Sequence, residues 1–250
     1  MKKFAINPKY QYLAEEILAI PERFEREGVL LYKGRNQVKM MEIGGLKLNV
    51  KSFKRPHVIN RIVYAYFRKT KAERSFRYAN LLQQYGIGTP EPVAYIVYRD
   101  WCGVSRSYYI SLQVEYDYEF RDLKVKRPND LEPMLVAFTR FTYQLHEHGI
   151  YFVDHSPGNT LIKRKAVGYD FYLVDLNRMK FMTITPELGL RNFYRLDASD
   201  DMIEIIAREY ARLRGGDAGQ MTEMLKNWTH EHNARVAERK RRKAKKKCMF

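Results

Sequence analysis

The stretch "YFVDHSPGNTLI" (residues 151–162) is an apolar run that ends at Asp154, turns through Pro157 and Gly158, passes Asn159 and becomes apolar again. Pro, Gly and Asn each favour a turn, so the bend itself needs no further cause. The turn does not account for a carboxylate and a carboxamide held five residues apart between two strand-like runs. With eleven Asp and eleven Asn in the chain, chance alone supplies about 0.5 such pairs, so the neighbours must carry the argument. Upstream, "EPMLVAFTRFTYQLHEHG" (132–149) sets Met134, Leu135, Phe138, Phe141 and Leu145 on one helical face, with Gly149 as the stop. Downstream, the strand-like "FYLV" (171–174) ends at Asp175, sixteen residues after Asn159. Two carboxylates and a carboxamide at strand ends are hard oxygen donors of the kind Mg²⁺ takes together with phosphate oxygens. Further upstream, "LNVK" (48–51) ends in Lys51, and Gly34 opens a first hairpin. These are the parts a phosphoryl-transfer site needs.

Around this centre the chain changes period. Residues 29–53 read as a three-stranded antiparallel meander: Leu46, Leu48 and Val50 alternate with Lys47, Asn49 and Lys51, and Gly44-Gly45 marks a tight hairpin. Residues 8–27 read as helical or irregular, with Pro21 breaking the run. A helical region spans roughly 58–85 and stops at "YGIGTPEP". "VAYIVY" and "SYYISLQVEY" read as strands joined by a turn near 100–105, in which Tyr108, Tyr109 and, just beyond, Tyr118 pack rather than stack on bases. Short strands are expected at 150–153, 160–163 and 169–174, the last pair turning around Gly168. From about 198 the chain is helical, with a loop at "RGGDAGQ". The layout is α+β and two-lobed, with an antiparallel-sheet first lobe and a mainly helical second. Its segments are 1–28 (a helical extension), 29–118 (sheet and helix for the nucleotide), 119–234 (catalytic and metal loops) and 235–250 (a basic tail).

At 45% hydrophobic and 14% aromatic residues, the composition is that of a packed core and excludes a disordered chain. The longest unbroken apolar run, 62–67, is too short to span a bilayer, and "MKKFAINPKYQ" lacks the apolar region of a signal peptide. Two cysteines, Cys102 and Cys248, form no disulfide framework, so a reducing, cytoplasmic compartment is expected. The net charge is +16, of which +8 lies in "RVAERKRRKAKKK" (235–247). Such a run is by default a solvated, partly disordered helix end. Its functional reading is attraction to a polyanion, either an anionic membrane face or nucleic acid.

In order and spacing, "LYKGRN", "VKSFKRP", "GIGTPEPVAY", "HEHGIYFVDHSPGNTLI", "YLVDLNRMKF" and "RNFYRL" resemble the lipopolysaccharide kinase family of the protein-kinase-like fold. That resemblance covers roughly residues 28–197. It implies an ATP- and Mg²⁺-dependent enzyme that phosphorylates Kdo or core heptose of a lipid A precursor at the cytoplasmic face of the inner membrane. It further implies that Asp154 accepts the proton of the acceptor hydroxyl, that Asn159 and Asp175 hold Mg²⁺, and that Lys51 pairs with the α- and β-phosphates. The backbone around Gly34 would cover those phosphates, and residues 115–118, beginning with Glu115 and Tyr116, would form the hinge that meets adenine. Glu73, the only acidic residue from 52 to 90, is assigned as the partner of Lys51.

The chain departs from the family pattern in several places. Phe152 replaces a histidine, and Ser156 replaces a lysine or histidine, which leaves His155 as the polar group within reach of phosphate. Gly34 is the only glycine of its loop, and "DLN" stands in place of aspartate-phenylalanine-glycine. Only fifteen residues separate Asp175 from Arg191, too few for the activation segment of a protein kinase. His146 and His148 read as helix-end residues, favourable near the C-terminal dipole, and not as metal ligands. Two alternatives stay open. A small-molecule phosphotransferase of the aminoglycoside or choline type shares the loop but leaves the basic tail unexplained. A non-catalytic nucleic-acid-binding module predicts basic residues interleaved with exposed aromatics, and no such motif stands out, so nucleic acid is the less favoured partner.

Overall fold

The computed structural model describes residues 1–55, 69–101 and 103–247. The chain divides into two compact units, 1–115 with 175–177, and 116–174 with 178–250.

The first unit is built on a six-stranded antiparallel sheet. Its strands are β1 (Lys2–Ile6), β2 (Val29–Lys33), β3 (Gln37–Ile43), β4 (Leu46–Phe53), β5 (Pro92–Asp100) and β6 (Gly103–Leu112), in the order β1-β5-β6-β4-β3-β2. The expected meander is β2-β3-β4. Gly44 and Gly45 take φ of +55° and +75° at its second turn, the doubly left-handed pair that a two-residue hairpin demands. Leu48 and Val50 are fully buried while Lys47 is exposed and Asn49 and Lys51 are half-buried, as the period of two requires.

Two expectations for the N-terminus are corrected. Residues 1–28 begin with a strand, β1, paired to β5 from Lys2↔Tyr98 to Ile6↔Ala94. A pairing across some ninety residues has no local signal in five. Pro21 does not break the helix α1 (Ala14–Arg23). It lies two residues from the end, buried beside Ile17 and Ile20, where the one hydrogen bond it forfeits is offset by apolar burial. The helix α2 (Lys71–Gln84) is capped by the Thr70 hydroxyl, which accepts from the Glu73 amide at 3.2 Å. The expected helical stretch 58–68 lies outside the described residues.

The second unit is mainly helical. It comprises β7 (Tyr118–Glu119), α3 (Phe120–Lys126), α4 (Leu131–Glu147), β8 (Ile150–Phe152), β9 (Thr160–Arg164), β10 (Tyr169–Leu173), β11 (Met179–Phe181), α5 (Pro186–Arg191), α6 (Asp200–Arg214) and α7 (Ala218–Lys247). Of the α4 face read from sequence, Met134, Leu135, Phe138 and Leu145 are fully buried and Phe141 is partly so. Each such side chain contributes on the order of 1.5–3 kcal/mol. β9 pairs with β10 around Gly168, and β8 with β11. The hairpin and strand pair hold the two ends of the 151–162 loop. The basic run 235–247, expected as a partly disordered tail, is the distal half of α7. Its proximal half is anchored by Met221, Leu225 and Thr229, and residues 237–245 are exposed.

Candidate functional site

In the first unit, β4 carries Lys51 opposite Val38 on one side and Tyr109 on the other. Its Nζ donates to Asp175 Oδ1 at 2.6 Å, with 17% of the lysine side chain and 34% of the aspartate side chain exposed. Asn177 Nδ2 donates to the same oxygen at 2.6 Å. Asp175 has φ of +59°, a left-handed conformation that costs an L-residue roughly 1–2 kcal/mol. Buried Leu176 and the two donors on Oδ1 fix that strained residue in place, and strain over-determined in this way is typical of working residues. Oδ2 of Asp175 has no hydrogen-bond partner among the described residues.

Lys71 opens α2 and forms no ion pair among the described residues. Burial pushes its amine below the usual lysine range; Arg35, Arg74 and Lys51 push the same way, while Asp175 opposes them. Lys71 therefore lies within electrostatic reach of three other cations and of Asp175, surroundings that suit a polyanion such as a triphosphate.

Glu73 does not pair with Lys51. It is buried at 6% exposure and takes Lys3 Nζ at 3.1 Å, so strand β1 neutralises the only acid of that segment, and the carboxylate on Lys51 is Asp175. Gly34 lies in the β2–β3 turn, its amide donating to the Asn36 carbonyl at 3.0 Å. The chain leaves the first unit between Glu115 and Tyr116, both exposed.

In the second unit, Asp154 sits at the end of β8. Asn159 Nδ2 donates to the Asp154 carbonyl at 2.8 Å, and the Asn159 carbonyl accepts from Val174 at 3.0 Å. The carboxamide thus ties the two ends of the turn, while its Oδ1 keeps no partner among the described residues. Asp154 Oδ1 receives Arg178 at 3.0 Å and Arg195 at 3.5 Å, and Arg195 also donates to the Val153 carbonyl at 2.7 Å. The sequence reading assigned neither arginine, although both stand inside the quoted stretches "YLVDLNRMKF" and "RNFYRL".

Beneath the loop lies a neutral layer. His155 does not reach for phosphate. It is fully buried among the rings of Phe138, Phe152 and Phe193, at centroid distances of 5.5, 5.7 and 5.9 Å, and neither ring nitrogen makes a well-formed hydrogen bond among the described residues. Burial pushes its pKa down to about 3, with His146 and Arg195 acting the same way and a weak hydrogen bond to the Asn192 backbone opposing them. His146 is likewise a core residue and not a helix-end charge. Its Nδ1 meets the Tyr210 hydroxyl at 2.9 Å and its Nε2 meets Asn192 Oδ1 at 3.1 Å, and burial lowers its pKa to about 4. Neutral His146 satisfies both contacts by accepting from Tyr210 and donating to Asn192. Asn192 Nδ2 then donates to the Phe152 carbonyl at 2.8 Å, two residues before Asp154.

Asn159 Oδ1 and Asp175 Oδ2 are uncommitted hard oxygens, and the described residues hold no group of three or more His, Cys, Asp or Glu arranged for a metal. Each is an oxygen of the kind Mg²⁺ brought in on a nucleotide takes, one or two from protein beside phosphate and water.

No family model matches the chain, and no curated protein matches it. Among solved structures, "WaaP in complex with acyl carrier protein" matches with a TM-score of 0.64 and 14% identity, covering 94% of this chain and 99% of that one. The likeness establishes the fold: α+β, two-lobed and protein-kinase-like, with the six-stranded antiparallel sheet in one unit and most helices in the other.

Proposed function

We propose that the protein is an ATP-dependent sugar kinase that phosphorylates Kdo or core heptose of a lipopolysaccharide precursor. The observation that carries the reading is the ion pair of Lys51 with Asp175, the latter held in a left-handed conformation at a strand end. A surface lysine and a turn-capping aspartate, 124 residues apart, have no structural need of each other.

In this reading Lys51 turns to the α- and β-phosphates when nucleotide binds, and Lys71 and Arg35 add positive charge beside it. The backbone around Gly34 covers the phosphates, while the 115–118 segment, with Glu115 and Tyr116, meets adenine. Asn159 and Asp175 would hold Mg²⁺, which when bound neutralises phosphate charge. Asp154 Oδ2, left without a partner because both arginines use Oδ1, accepts the proton of the acceptor hydroxyl. The hydroxyl oxygen forms a bond to the γ-phosphorus as the bond from that phosphorus to the β,γ-bridging oxygen breaks, and ADP leaves. The exposed basic half of α7 draws the enzyme to an anionic inner-membrane surface, where the lipid acceptor lies; no helix among the described residues is long and apolar enough to cross a membrane.

The test is transfer of label from γ-labelled ATP into a panel of lipid A precursors with and without Kdo. Labelled sugar in the Kdo- or heptose-bearing members supports the reading. Absence of label in every Kdo- or heptose-bearing member, with transfer to an aminoglycoside or choline run in parallel or to nothing, overturns it.

A further inference from the structure

We infer that Arg178, backed by Arg195, forms an oxyanion seat beside Asp154 that binds an acidic group of the acceptor, a carboxylate or a phosphate, next to the hydroxyl being phosphorylated. This rests on the sugar-kinase reading and narrows its acceptor.

Two guanidinium groups converge on one carboxylate oxygen, which leaves one positive charge in excess. The two arginines are not equivalent. Arg195 is 31% exposed at its side chain and is tied to the Val153 carbonyl, so it is the fixed member that orients Asp154. Arg178 is 58% exposed at its side chain, and Asp154 is its only side-chain partner among the described residues. A guanidinium has five N–H donors in a planar fork matched to a carboxylate or phosphate, and most of those on Arg178 are unused. Ser156 carries no charge, and His155 is buried and neutral, so the loop supplies no other cation. Arg178 is held where the proton acceptor is held, and an anion bound there lies within a few ångströms of the attacked hydroxyl.

The full-length protein with MgATP is assayed on two acceptor pairs, each pair differing only in charge. The first is the methyl glycoside of Kdo and the methyl ester of that glycoside; the second is a phosphorylated core-heptose oligosaccharide and its dephosphorylated form. In the wild type, the charged member of one pair is favoured about tenfold or more in kcat/KM, the worth of a charge-assisted hydrogen bond, and that pair identifies the anion. Arg178→Gln collapses the preference to below twofold with the KM for MgATP within twofold of wild type, and Arg178→Lys, which keeps charge without the fork, retains part of it. An equal loss of kcat on charged and uncharged members, or a raised KM for MgATP, overturns the seat and makes Arg178 a partner of Asp154 or of the nucleotide. A wild type that labels neither pair overturns the sugar-kinase reading itself, and the seat with it.

Discussion

Replacing His155 with leucine should stabilise the second unit, which is unusual for a fully buried residue. His155 is wholly enclosed and its two ring nitrogens make no well-formed hydrogen bond among the described residues, so most of their desolvation cost is uncompensated. Leucine has a similar volume and no polar atom, and removing an unsatisfied polar group of this kind gains about 1–3 kcal/mol. The pH dependence is a second, independent signature. The folded pKa of about 3 lies below an unfolded value of about 6.5, so the unfolded chain binds the extra proton between those pH values. Stability from this group is therefore complete above about pH 6.5 and falls as pH falls. By linkage, His155 costs about 2 kcal/mol at pH 5, and His146, with a folded pKa of about 4, costs a similar amount. Urea unfolding of His155→Leu should show the gain at pH 7 and about half the wild-type loss between pH 7 and pH 5. The probe is built in: Trp228 packs against the second unit's core whereas Trp101 is 95% exposed, so the fluorescence change reports that unit. A loss of more than about 1 kcal/mol at pH 7, or an unchanged pH dependence, refutes the reasoning, because it would mean that the imidazole has polar partners worth keeping.

Asp154→Asn should lower kcat by about two orders of magnitude or more while ATP binding persists; a purified, folded variant with near-normal kcat removes Asp154 from the mechanism. Asp175→Ala should weaken nucleotide binding in Mg²⁺ far more than without it, read by calorimetry, and equal losses in both conditions would make Asp175 structural. Deleting residues 235–250 should leave phosphorylation of a delipidated, water-soluble acceptor unchanged and lower activity on acceptor in anionic vesicles. Each basic residue near such a surface is worth about 1 kcal/mol, and undiminished activity of the truncated enzyme on vesicles denies the helix a membrane role.

The elements legible in the sequence were those specified by neighbours a few residues apart. The α4 face repeats at helical spacing, the Gly44-Gly45 turn needs two left-handed residues in succession, and the strands on either side of Gly168 are set by that turn. What stayed hidden depends on long-range partners. β1 is a strand because β5 offers it an edge, and Glu73 is spoken for because β1 brings Lys3 to it. The sequence named both Lys51 and Asp175 but assigned the lysine's carboxylate to Glu73, since acidity within one segment is visible and a contact across 124 residues is not. Arg178 and Arg195 were inside quoted stretches, yet no local feature separates an arginine that grips a carboxylate from one that faces solvent. The two buried histidines were misread for a related reason: composition marks His as polar, and only the surrounding rings show that it is held neutral.

That neutral layer has a consequence for Asp154. Residues 154 and 155 are consecutive, and the aromatic rings of Phe138, Phe152 and Phe193 fix His155 inward. The adjoining carboxylate is then left in the polar layer, where the two arginines take Oδ1 and Asn159 takes the backbone carbonyl. The loop is thus positioned from below by apolar packing and from above by charge. The Asn192 link from neutral His146 to the Phe152 carbonyl adds a third restraint. Protonating His146 would place a buried charge next to Tyr210 and Asn192, so this restraint, two residues from Asp154, is the one most exposed to acid. Activity should therefore decline with acid at a pH where global unfolding has not begun. Asn192→Leu, which removes the link without adding a charge, should lower kcat at neutral pH and abolish that extra acid sensitivity. If the variant instead keeps both the wild-type kcat and the wild-type acid limb, the link does not position Asp154.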